Sequence, residues 1–192
     1  MKIFRPKPNF ETLKRQLLDV ISILDANDIR YHLEGGTLLG IVRDGMLLPW
    51  DHDTDISIMH DDLVRFLSLL PALKKSGWRI SVRRLEKDCS FGKEGQVRLI
   101  KVKDRFLGLI AGENVLDIFV KFRKDDDVYW VAKNNTMKVA NVHYNGFDEI
   151  MWEGKKLKAP HQHKEYLTSK YGEWNTIIKE WDCTMEHTIV RD

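Results

Sequence analysis

Apolar residues return every three or four positions near the start of the chain. Phe10, Leu13, Leu17, Val20, Ile21 and Leu24 fall on one stripe, the spacing of a helix with one buried face. Asn9 precedes them as an N-cap, so a helical segment is expected over 9–27. "IRYHLE" reads as a short strand that runs into "GGTLLG" and then into irregular chain as far as Trp50, with Gly45 and Pro49 as breakers. In "DTDISIM" the period becomes two. Asp51, Asp53 and Asp55 fall on one face of a strand, and Thr54, Ile56 and Ile58 on the other. "HDDLVRFLSLLPALKKSG" carries Leu63, Phe66, Leu67 and Leu70 on a helical stripe that Pro71 should bend or end. "WRISVRRLE", "QVRLIKV" and "NVLDIFVKF" read as strands, and "RKDDD" as a turn into "VYWVA". One more helix is expected in the tail, in "PHQHKEYLTSKYG", within a helical segment over about 159–182. The pattern is that of one mixed α/β (α+β) domain over 1–192, with its core at about 31–132 and no repeats or linker.

Composition narrows the function. Lys and Arg number 31 against 29 Asp and Glu, for a formal net charge of +2. That balance gives no sign of the strongly basic face that nucleic acid requires, so no nucleic-acid partner is expected. The local basic runs "VRRLEK" and "LIKVKDR" alternate with apolar residues and read as the solvated face of strands. Two cysteines outside any Cys/His spacing point away from zinc and toward a reducing cytosol. The start "MKIFRPKPNF" lacks an apolar core, so no signal peptide is expected, and no apolar run is long enough to span a bilayer. A cytoplasmic location follows as the expectation, with peripheral contact at the inner membrane surface left open.

The acids then need explaining. Carboxylates this close repel, and burial would raise at least one pKa; a cation would make the arrangement tolerable. Asp53 and Asp55 are candidates for Mg²⁺ or Mn²⁺, which favour oxygen ligands. Asp117, alone in the apolar "VLDIFV", needs a partner, and a metal beside Asp53 and Asp55 would provide one. An EF-hand fails, because its required Gly and Glu positions hold Ile56 and Asp62. A charged edge strand would account for any one of these acids but leaves Asp117 unexplained. Gly35-Gly36 can let backbone approach a phosphate, although a GG pair alone is more often a turn. Arg43 offers either a phosphate contact or a pair with Asp44. Glu34 could bind a donor or cap the turn, and His161 and His163 read as solvated. Trp50, Trp152, Tyr166, Tyr171 and Trp174 read chiefly as packing.

"YHLEGGTLLGIVRDGMLLPWDHDTDISIM" closely resembles the signature of LicD-type phosphotransferases, the family that includes fukutin and fukutin-related proteins. "LDIF" at 116–119, W-x-G-x-x-L-x-x-P over 152–160 and "EYLTSKYGEW" continue the resemblance in order. It implies a nucleotidyltransferase-like mixed sheet flanked by helices. It also implies transfer of a phospho-alcohol, such as phosphocholine or a polyol phosphate, from a CDP-activated donor to a hydroxyl on a glycan or lipid-linked sugar, with release of CMP. Carried over by position, Asp53, Asp55 and Asp117 would be the catalytic and Mg²⁺-binding carboxylates, with Asp51 an open fourth. Gly35, Gly36 and Thr37 would line the donor phosphates, and Arg43 would clamp one. The alternative within the fold is a nucleotidyltransferase that moves an NMP and releases pyrophosphate. His52 stands where many relatives carry Asp.

Overall fold

The computed structural model describes residues 9–106, 110–179, 181 and 183–190. The first helix, α1 (Phe10–Asp25), forms as its stripe requires: Leu13, Leu17, Val20, Ile21 and Leu24 are buried, and the Asn9 side chain accepts a hydrogen bond from the Thr12 N–H at 3.1 Å. After β1 (Tyr31–Leu33) the chain departs from expectation. The glycines open a helix, α2 (Gly35–Asp44), where a turn and irregular chain were expected. Leu38 and Ile41 are buried one turn apart on it, and Gly45, at φ 71°, ends it in a left-handed cap. Gly-Gly reads poorly as helix because of its low propensity, but at a helix start the open space matters more.

β2 (Asp53–Met59) leads through a 3₁₀ turn at His60–Asp62 into α3 (Leu63–Ser68) and α4 (Leu70–Lys75). Pro71 divides what read as one helix and sits in the first turn of α4, where a missing N–H costs nothing. Then follow β3 (Arg79–Arg84), β4 (Val97–Phe106), β5 (Ile110–Lys124), β6 (Asp127–Ala132) and β7 (Asn135–Ala140).

The sheet has the order β1-β2-β5-β4-β3; β6 adds to the far end of β5, and β7 pairs with β6. β2 and β5 run parallel and the other pairs antiparallel. β2 is therefore an interior strand, and the edge-strand explanation of its acids falls. The expected alternation holds. Thr54, Ile56 and Ile58 are buried with Leu116, Ile118 and Val120 on the face that meets α1. Asp53, Asp55 and Asp117 face the other way, into a cavity.

The C-terminal third corrects the sequence reading. Strands continue past Ala132 as β7 and as a hairpin of β8 (Phe147–Trp152) and β9 (Lys155–Pro160). The helical segment placed over about 159–182 is β9 as far as Pro160, then α5 (His163–Tyr171); beyond Gly172 the described residues hold a 3₁₀ turn at Cys183–Met185 and a single bridge from Ile189 to Met137. These strands are inconspicuous because β8 exposes Phe147, Glu149 and Met151 and β9 begins with two exposed lysines. Their turns also place Lys133 and Glu153 at φ 52° and 51°, a conformation their side chains rarely adopt.

Candidate functional site

Parallel pairing of β2 and β5 sets Asp55 directly opposite Asp117, with Asp53 two residues earlier on the same face. Carboxylate oxygens of Asp53, Asp55 and Asp117 lie within 4.8 Å of one another. Burial, then the neighbouring Asp51 charge, pushes Asp53 up to about 7. Burial, then Asp53 and Asp117, holds Asp55 well above the carboxylate range. Burial raises Asp117 as well, against the opposing Lys101. Three acids strained in this way form an oxygen cluster that a divalent cation would relieve. Asp51 stands beside the cluster, just before β2, and accepts the His52 N–H at 3.0 Å.

Asp117 has a partner that the sequence reading did not supply. Lys101 Nζ donates to both its oxygens, at 2.8 and 2.6 Å. Lys101 belongs to the "LIKVKDR" run taken as plain solvated strand. That face instead lines a cavity of about 500 Å³ over the acids, with Arg83, Arg98, Lys133 and Lys170 also on its wall.

α2 supplies the other side of the site. Gly35 has φ 54°, and a Cβ there would strike the Asp55 carboxylate; one on Gly36 would strike that of Asp51. Only glycine allows the helix start to approach the acids so closely, and its free N–H groups suit an anion. Gly35→Ala should therefore lower stability by roughly 1–3 kcal/mol and displace Asp55, measurable as a lower Tm and weaker Mg²⁺ binding by calorimetry. The Thr37 hydroxyl accepts the Asp55 N–H at 2.8 Å, so this side chain joins α2 to β2. Thr37→Val should cost about 1–3 kcal/mol by leaving that N–H unpaired, read by urea denaturation.

Arg43 lies at the far end of α2. It forms a two-pronged pair with Asp44, at 2.9 and 2.8 Å, and reaches the Trp174 carbonyl at 3.4 Å. It lines a second cavity of about 210 Å³ with Trp50, Tyr171, Trp174 and Trp181, which adjoins the first at Gly36 and Asp51. Arg43 thus lines the adjoining cavity and not the wall of the cavity over the acids. His161 and His163 are also engaged: their Nδ1 atoms meet Asp148 at 3.1 and 2.7 Å. Trp152 and Tyr166 are buried, as packing requires.

Glu34 is the residue whose surroundings were least visible in the sequence. It is 1% exposed, next to Gly35, and its carboxylate accepts from Ser57 at 2.8 Å, from Tyr166 at 2.6 Å and from Tyr144. Lys121 lies 3.2 Å away and Lys170 3.8 Å. Burial would raise its pKa, but Lys121, Lys170 and the tyrosine hydroxyls outweigh burial and hold it down to about 2. Lys170 also faces Glu186 at 3.5 Å, so a buried chain of alternating charge runs beneath the site.

A mixed sheet with clustered carboxylates on neighbouring parallel strands, beside a helix begun by Gly-Gly, lies within the stretch matched by a nucleotidyltransferase-domain family model. The family model described as LicD/FKTN/FKRP, nucleotidyltransferase domain, matches residues 28–162, and the chain belongs to that family. It is 37% identical over 171 residues to the uncharacterized protein RP689 of Rickettsia prowazekii, covering 89% of this chain and 55% of that protein. It is 48% identical over 44 residues to the human ribitol 5-phosphate transferase FKRP, covering 23% of this chain and 9% of FKRP. It is 37% identical over 65 residues to the lipopolysaccharide cholinephosphotransferase LicD of Haemophilus influenzae, covering 30% and 24%. The chain spans about half the length of the Rickettsia relative.

Proposed function

We propose that the chain transfers a phospho-alcohol from a CDP-activated donor to a hydroxyl on a glycan or lipid-linked sugar, releasing CMP. The carrying observation is the register that brings Asp53, Asp55 and Asp117 together at the glycine start of α2. The names of FKRP and LicD, transferases of ribitol 5-phosphate and of cholinephosphate, support this reaction class. These three carboxylates would hold Mg²⁺ or Mn²⁺. The bound ion would neutralise the diphosphate and orient an in-line displacement. The Gly35-Gly36 backbone would meet the donor phosphates. The acceptor oxygen forms a bond to the phosphorus bearing the alcohol, the bond from that phosphorus to the bridging oxygen breaks, and CMP departs with that oxygen. Asp117, oriented by Lys101, takes the hydroxyl proton.

The test is incubation of the chain with Mg²⁺, simple sugar acceptors and CDP-choline, CDP-ribitol, CDP-glycerol, CTP or ATP, followed by phosphorus NMR. CMP from a CDP-alcohol is the expected result. Pyrophosphate from a triphosphate would instead assign NMP transfer.

A further inference from the structure

We propose that Glu186, carried by the C-terminal segment, is a counter-ion that the donor displaces: it holds Lys170 in the free protein, gives it up to the donor's diphosphate, and so limits how tightly the donor binds. This rests on the phospho-alcohol transfer just described and assigns two residues of its donor side.

Lys170, near the end of α5, is 5% exposed and lines the cavity of about 500 Å³ together with Gly35, Gly36 and the three carboxylates. Its two ion pairs are long, at 3.5 Å to Glu186 and 3.8 Å to Glu34, against about 2.8 Å for a bonded ammonium and carboxylate. Glu34 does not depend on it, because Ser57, Tyr144 and Tyr166 donate to that carboxylate and Lys121 stands closer, at 3.2 Å. Burial would discharge the Lys170 ammonium, but Glu186, ahead of Tyr171 and Glu34, outweighs burial and keeps it charged. A loosely held point charge on a flexible stem therefore faces the cavity.

Glu186 is brought there by backbone pairing. The Lys138 N–H donates to the Thr188 carbonyl at 2.8 Å and the Val190 N–H to that of Thr136 at 2.9 Å, which lays this segment along β7. The His187 N–H donates to the Lys170 carbonyl at 3.0 Å and fixes Glu186 beside the lysine. One Glu186 oxygen faces the ammonium, and the other accepts the Thr188 hydroxyl at 3.0 Å. Glu186 also lines the cavity, so water can reach it when the lysine turns away.

Position and charge name what Lys170 turns to. Glu34 immediately precedes Gly35, so the lysine stands beside the helix start that would meet the donor phosphates, and its charge reaches Asp55. Lys101 is already committed to Asp117, and Arg83, Arg98 and Lys133 rise from β3, β4 and the turn after β6. With a divalent ion bound, the three ionised carboxylates, the ion and Lys101 sum to zero charge, while a diphosphate diester brings two negative charges. The start of α2 offers about half a positive charge. Lys170 offers a full one, which Glu186 opposes by sharing the cavity.

Calorimetric titration of CDP in Mg²⁺ tests this on the full chain, on Glu186→Gln, on Lys170→Met and on the double variant. Glu186→Gln should bind CDP about fivefold more tightly than the wild type, since a competing charge is gone. Lys170→Met should bind it about tenfold more weakly, and in that background Glu186→Gln should bring no gain. If Lys170→Met fails to fold around an unpaired Glu186, the double variant, which removes both charges, is compared with Glu186→Gln and should bind CDP at least tenfold more weakly. A Glu186→Gln protein that binds CDP no more tightly than the wild type, including no binding by either, overturns the proposal, because Glu186 would then be a structural partner alone. So does a gain that persists without Lys170. Failure of the transfer reading is a separate event, seen as no CMP release from any CDP-alcohol.

Discussion

Asp55→Asn should reduce Mg²⁺-dependent turnover by about a thousandfold, equivalent to roughly 4 kcal/mol of lost charge stabilisation, and make the metal-free protein more stable. Both effects have one cause. Asp55 is forced against Asp53 and Asp117 by the β2–β5 register, and burial with those two charges holds its carboxyl well above the usual range. Asp53 is pushed up to about 7 from 3.8 by burial and Asp51. In metal-free protein the folded state therefore keeps protons that the unfolded chain has released. Stability is full below about pH 4 for these groups and falls as pH rises through about 7. Mg²⁺ should raise the Tm little at pH 5 and much more at pH 8, because it must displace those protons. Asparagine removes the central charge, so the variant should show a shallower fall with pH and a smaller Mg²⁺ response. Scanning calorimetry at pH 5 and pH 8, in Mg²⁺ and in EDTA, reads all of this. Full activity in the variant, or a metal-free variant that melts below the wild type at pH 8, would refute the assignment.

The largest loss of stability should come from Glu34→Ala, at about 3–5 kcal/mol, the usual cost of removing one partner from a buried ion pair. In a domain of this size that corresponds to roughly 10 °C in Tm. The substitution leaves Lys121, fully buried with its ammonium 3.2 Å from the centre of the Trp130 ring, without its carboxylate. It also strips the Ser57, Tyr144 and Tyr166 hydroxyls of their common acceptor. Adding Lys121→Met to Glu34→Ala should recover part of the loss, since the pair is then replaced by apolar bulk. In the wild type Glu34 is held down to about 2 from 4.5. Its contribution is therefore present above pH 4.5 and disappears as pH falls toward 2. Urea denaturation of the single and double variants measures the effect; a single-variant loss under about 1 kcal/mol would contradict this account.

Local pattern carried a good part of the site. The period of two in "DTDISIM" alone separates the carboxylates from Thr54, Ile56 and Ile58, because side-chain alternation is a property of any strand. Asp117 was visible as an acid in an apolar run, and Asn9 with its stripe was enough for α1. The β8–β9 hairpin was not visible, since its strands are half exposed and polar. Nor was α2, whose Gly-Gly start reads as a turn until it is seen against the carboxylates it must clear.

Register and long-range pairing lay outside any local pattern. "LIKVKDR" says that Lys101 alternates with apolar residues; only antiparallel pairing of β4 with β5 turns it into the partner of Asp117. Glu34 is joined to Tyr144 and Tyr166, 110 and 132 residues away, and no periodicity encodes a contact across that separation. The sequence by itself thus determined the family, the carboxylates and the face they occupy, because these follow from residue type and spacing. The tertiary structure alone decided which cations meet those acids, because that depends on how distant strands align.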